Sequence, residues 1–205
     1  MARLSQAERE RVLAAIADAE RLTTAEFSVA VVSSADAYAE LRLLIPGLLA
    51  IVLPPLLLVA GWVREPFWLS CVPAITFVTT SALLLPDEVA MRLVPSRLRI
   101  GRARRLAQAM FVELGLAVPR DRAGVLLFIA RAERQVEILA GAGVAERIDS
   151  DAWQAVVDAF VQAARSGPLA PALADAIQGA TSLLSAAFPP DSRNPDEVPN
   201  RFIEL

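Results

Sequence analysis

The chain has 205 residues, a formal net charge of −3 and 55% apolar residues, against about 45–50% in ordinary globular domains. It has no histidine and one cysteine, Cys71, which removes Ser-His-Asp and Cys-His catalysis, imidazole zinc sites, disulfide frameworks and CxxC metal sites. Every basic residue is arginine and the net charge is slightly negative, so nucleic acid is not expected as a partner; any chemistry rests on carboxylates, hydroxyls, arginine and a hard metal.

The opening MARLSQAERERVLAAIADAERL is charged and amphipathic. It lacks the apolar h-region of a secretory signal. Ser5 followed by Glu8 makes a capping box, and Val12, Ile16 and Ala19 share one face, so residues 6–22 are expected to be a helix. EFSVAVVSS, 26–34, is rich in β-branched residues and reads as a strand. A helix and a strand alone cannot bury that strand, so its partners must come later in the chain.

Two uncharged runs follow, LLIPGLLAIVLPPLLLVAGWV (43–63) and PFWLSCVPAITFVTTSALLLP (66–86). Twenty-one helical residues reach about 31 Å, the thickness of a bilayer's hydrocarbon core. Arg64 and Glu65 separate the runs, with Trp62, Phe67 and Trp68 beside them, where aromatic rings suit the membrane interface. The pair is expected to be a transmembrane helical hairpin. Pro54 and Pro55 kink the first span, and Ser70, Thr76, Thr79, Thr80 and Ser81 suit close helix packing in the second. No ionisable residue lies within either span, which argues against a transport pathway. Arg92, Arg97, Arg99, Arg102, Arg104 and Arg105 follow the second span, whereas the turn has Arg64 alone. The positive-inside bias therefore places both termini in the cytoplasm and the turn outside. The same arginines can lie on anionic headgroups.

Beyond the hairpin, 98–114 reads as a helix closed by Gly115. GVLLFIA (124–130) is an apolar strand of the kind covered on both faces. A four-residue turn, Arg131 to Arg134, leads to QVEILAG (135–141), an alternating strand that makes an antiparallel hairpin with it. Helices are expected at about 150–165 and 171–187, on either side of SGPLAP. The Pro-rich tail, 189–205, is read as extended. The fold class is α/β, a small mixed sheet with helices on both faces, interrupted by the transmembrane hairpin. Residues 1–42 and 87–188 form one domain, and 43–86 is the insertion.

The helix–strand start resembles the TPM domain family, also called TPM phosphatase. So do the unit FVELGLAVPRDRAGVLLFIARAERQVEILAGAGVAERI and the helices WQAVVDAFVQAARSGPLAPALADAIQGATSLL. Bacterial members with a two-span insertion after the first strand look closer still, which implies the bacterial cytoplasmic (inner) membrane. The resemblance implies phosphatase activity and binding of Ca²⁺ or Mg²⁺ by acids near the strand ends. Transferred by position, the acids carried over are thinned. The paired acids of the inter-strand turn become Ala132 and Glu133, and the Asp-Asn before GVLL becomes Arg122 and Ala123, with Asp121 one step off. A later Glu-Gly-Asp becomes Ser166, Gly167 and Pro168. Asp36, Asp121, Glu133 and Glu146 remain as candidate metal ligands, and Gly141 and Gly143 as a backbone turn able to approach an anion or metal. The expected role is a membrane-anchored module that binds a membrane-protein partner or a second copy at the cytoplasmic face. A divalent-metal-dependent phosphatase is the alternative.

Overall fold

A computed structural model describes residues 4–62, 65–116, 123–190 and 202–205. In chain order the first elements are α1 (Gln6–Leu22), β1 (Glu26–Val32), α2 (Ala39–Val59), α3 (Pro66–Leu83), α4 (Asp87–Leu93) and α5 (Ser96–Glu113). Then come β2 (Gly124–Ala130), β3 (Gln135–Ala140), α6 (Ala142–Ala145), α7 (Ser150–Ser166), α8 (Leu169–Ala187) and β4 (Phe202–Glu204). They fall into two compact units, one of residues 1–35 with 101–205 and one of residues 36–100.

The larger unit is built on a mixed sheet of order β3-β2-β1-β4. β1 and β2 run parallel in register from Glu26 opposite Gly124 to Val32 opposite Ala130. β3 returns antiparallel to β2, and β4 lies parallel to β1 on its other side. Because side chains alternate along a strand, the two central strands feed two cores. Phe27, Val29 and Val31 with Val125, Leu127 and Ile129 pack with Val12 and Ile16 of α1, Trp153 and Phe160 of α7 and Leu173, Ile177 and Leu184 of α8. Ala30, Val32, Leu126 and Phe128 pack on the opposite face with Ala103, Ala107 and Met110 of α5. The mixed sheet covered by helices on both faces is the architecture expected from the strand patterns.

Local signals set the helix ends. Ser5 caps α1: its Oγ accepts the Glu8 amide at 3.3 Å, and its own amide donates to Glu8 Oε2 at 2.8 Å. The Ser5 hydroxyl also donates to Glu8 Oε2 at 2.7 Å, and this bond, followed by that of the Ser5 amide, holds the Glu8 carboxyl below the usual range. Pro66 occupies the first turn of α3, where its missing amide proton is no loss. Three elements were not read from the sequence: the short helices α4 and α6, and β4, which closes the end of the tail.

The smaller unit contains the hairpin. α2 begins at Ala39, ahead of the uncharged run, and α3 ends at Leu83. Both are long and apolar enough to cross a membrane, with mean hydropathy of 2.2 and 1.4. They are not core helices: the most apolar stretch of α2 is 11% buried and that of α3 is 0% buried. Leu43, Leu48, Ile51, Val59, Trp62, Phe67 and Val78 stand exposed. Ser70 and Thr79 of α3 return their hydroxyl protons to the carbonyls of Pro66 (2.9 Å) and Ile75 (2.7 Å), so these groups are satisfied within their own helix. At the base of the unit, Tyr38 is fully buried with φ of 49° and borders a small cavity lined by Ile45, Leu84, Ala90 and Val94.

Candidate functional site

The carboxyl ends of β1 and β2 are where open α/β sheets usually place their ligands. Here the β2–β3 turn folds over the end of β1. The Arg131 amide donates to Val32 O and the Ala132 amide to Ser33 O, both at 3.0 Å. Arg134 takes φ of 55° to reverse the chain. Glu133, in the middle of this turn, is 1% exposed. Its Oε1 accepts the Ser34 hydroxyl at 3.0 Å and the Ala35 amide at 2.9 Å. A buried carboxylate needs such partners. These two hold the segment leaving β1 just before the hairpin begins. The arrangement suits anchoring.

Of the other candidate acids, Glu146 lies away from this turn. Glu146 is exposed at the end of α6. It lies past the far end of β3, whose six residues at about 3.3 Å each separate it from the Glu133 turn. Asp36 belongs to the hairpin unit, where its Oδ1 accepts the Tyr38 amide at 3.2 Å. Asp121, Arg122 and Arg64 lie outside the described residues. Among the described residues no group of three His, Cys, Asp or Glu is placed to hold a metal. A hard cation wants six to eight oxygens, and the described carboxylates do not form such a donor set.

The glycine pair has a structural position. Gly141 precedes α6, is buried, and donates its amide to Gly124 O at 2.8 Å. Gly143 lies inside α6. The tighter constraint is at Gly124, which the sequence reading did not single out. A Cβ there would sit 2.5 Å from Leu116 O and 2.9 Å from Leu116 Cα, so the chain leaving α5 can cross the start of β2 only over a glycine.

The arginines are dispersed along two helices. Arg92 lies in the last turn of α4 and Arg97 in the first turn of α5, both exposed; Arg99 and Arg102 are half-buried; Arg104 and Arg105 are exposed. Arg104 Nε lies 4.0 Å from Glu137 Oε2 on β3. Partial burial pushes the Glu137 carboxyl above its ordinary range, and the guanidinium opposes that shift. A groove of about 360 Å³ between α1 and α8 is lined by Asp18, Asp175, Gln178, Thr181 and Ser182. Asp18 pairs with Arg21 at 3.3 Å and Thr181 donates to Ile177 O, so ordinary surface and helix contacts account for these groups. No periodicity signals this groove, because it arises from two helices 150 residues apart meeting side by side.

Residues 87–183 match the family model described as TPM domain. No curated protein matches the chain. Among solved structures, the NMR structure of BA42 protein from the psychrophilic bacterium Bizionia argentinensis sp. nov. is similar over 98% of this chain and 95% of that chain. The TM-score is 0.60 at 17% identity, a likeness of fold.

Proposed function

From the match of residues 87–183 to the TPM domain model, we propose that the chain is a two-pass membrane protein whose soluble domain is a binding module at the cytoplasmic face of a bacterial inner membrane. The observation that carries the reading is the position of the bare hairpin. It lies between β1 and β2, which are hydrogen-bonded neighbours. Two apolar helices with unburied faces match a lipid environment. An even number of spans returns the chain to the side it left, where β2 can pair with β1. The arginines after the second span favour the cytoplasm for that side. Exposed Arg92, Arg97 and Arg105 then suit anionic headgroups, at about 1 kcal/mol each near the surface. The partner is a membrane protein or a second copy of the chain.

The Glu133 geometry supports binding over catalysis, since the turn carboxylate anchors Ser34 and Ala35. The competing reading, a divalent-metal-dependent phosphatase, is decided by assaying aryl phosphate hydrolysis by the detergent-purified full chain with and without Ca²⁺ or Mg²⁺. The expected result is no metal-dependent turnover that distinguishes the wild type from Glu133→Gln. Metal-dependent turnover abolished in Glu133→Gln would replace the module with the enzyme.

A further inference from the structure

The edge of β1 opposite β2 is covered by a very short element, β4, and the contacts that hold it are chemically selective. The Ser33 amide donates to the Leu205 main-chain oxygen at 2.7 Å, and the Ser33 hydroxyl to the same oxygen at 3.0 Å. The Leu205 amide donates to Val31 O at 3.1 Å. Alternate side chains are read separately. Phe202 packs against the core beneath α1, with the Arg9 guanidinium 5.7 Å from its ring centre, and Ile203 packs on the opposite face. The Glu204 side chain is 6% exposed, yet its Oε1 accepts the Leu4 amide at 2.8 Å and its Oε2 lies 3.8 Å from Arg9. A buried carboxylate matched by a helix-start amide and an arginine makes this edge selective for an acid at that position.

We propose that the β1 edge, with Arg9 and the Leu4 amide, is a strand-addition site for an extended peptide of aromatic–aliphatic–acidic–aliphatic pattern, and that Phe202–Leu205 is its ligand in cis. The inference deepens the module reading by naming the binding site and the chemistry of the partner. Main-chain bonds supply affinity and alternate side chains supply specificity, as in other cases of strand addition. A strand of three residues has little binding energy of its own. Its covalent attachment to the same chain raises its effective concentration at the edge. A partner strand with the same pattern therefore competes with Phe202–Leu205 for one groove.

The test uses the full chain in detergent with Phe202→Asp and Glu204→Arg, which release the end and leave the β1 edge intact, and a labelled peptide of sequence NRFIEL. Saturable binding to this double variant is expected. Binding should be at least about tenfold weaker to the wild type, whose own strand competes, and at least about tenfold weaker for the peptide carrying glutamine in place of glutamate. No binding to the folded double variant, equal binding to the wild type, or indifference to the glutamine peptide would each overturn the proposal. Should the double variant not fold, hydrogen exchange on the wild type decides. The Leu205 amide is expected to exchange at least about a hundredfold faster than those of Leu126 and Leu127, through local opening; equal protection would overturn it. Failure of the peptide arm together with absent phosphatase turnover removes this site alone, whereas metal-dependent turnover lost in Glu133→Gln removes the module reading itself.

Discussion

A methyl group added at position 124 would press into the backbone of Leu116, where no side-chain rotation can make room. Gly124→Ala is expected to destabilise the domain by about 1–3 kcal/mol, as overpacking does, measured by urea unfolding in detergent. Glu137 gives a pH prediction. Its carboxyl holds its proton to a higher pH folded than unfolded, chiefly through desolvation. The native state therefore binds more protons between the ordinary glutamate range and the raised value, and stability falls as pH rises through that window. Glu137→Gln should be more stable than wild type at neutral pH, by a margin that shrinks as pH is lowered to the ordinary range. Arg104→Gln should raise the Glu137 pKa further, as NMR titration would read. At this scale the sequence was only partly legible. Glu133 stood out as a turn acid, but its bonds to Ser34 and Ala35 depend on a strand almost a hundred residues earlier meeting that turn. Gly124 carried no local signal, since its φ is ordinary and only the crossing chain makes it indispensable.

The long elements were legible because their own periodicity encodes the packing. α8 buries Ala170, Leu173, Ala176, Ile177, Ala180, Thr181 and Leu184, recurring at the spacing of one helical face. Leu173→Ala should cost about 2–5 kcal/mol, while Ser182→Ala on the exposed face of the same helix should stay within about 0.5 kcal/mol, both by denaturant midpoint. β2 was legible as an all-apolar run because both its faces are covered. α4, α6 and β4 were not, because four to seven residues, or three in β4, are too few to show a period; each exists through the structure it packs on. The uncharged runs announced the hairpin, although α2 starts four residues before its run. Ile51 is 74% exposed near the middle of α2. In an insertion assay Ile51→Arg should lower the inserted fraction, since arginine at a span's centre costs about 2.5–3.5 kcal/mol on translocon scales.

For the whole molecule the central constraint is continuity. Residues 26–32 pair with residues 124–130, and the hairpin lies between them, so any topology must return the chain to the side it left. That rules out a single stable span and is met by two. The most direct measurement is labelling with a membrane-impermeant maleimide in intact bacteria, with Cys71→Ala as background and single cysteines at Gln6, Glu65 and Ala145, all exposed. Glu65→Cys is expected to be labelled from outside, whereas Gln6→Cys and Ala145→Cys are expected to be labelled only after the membrane is opened. Labelling of Gln6→Cys and Ala145→Cys in intact cells, or release of the wild-type chain from membranes by alkaline carbonate, would contradict the two-pass topology.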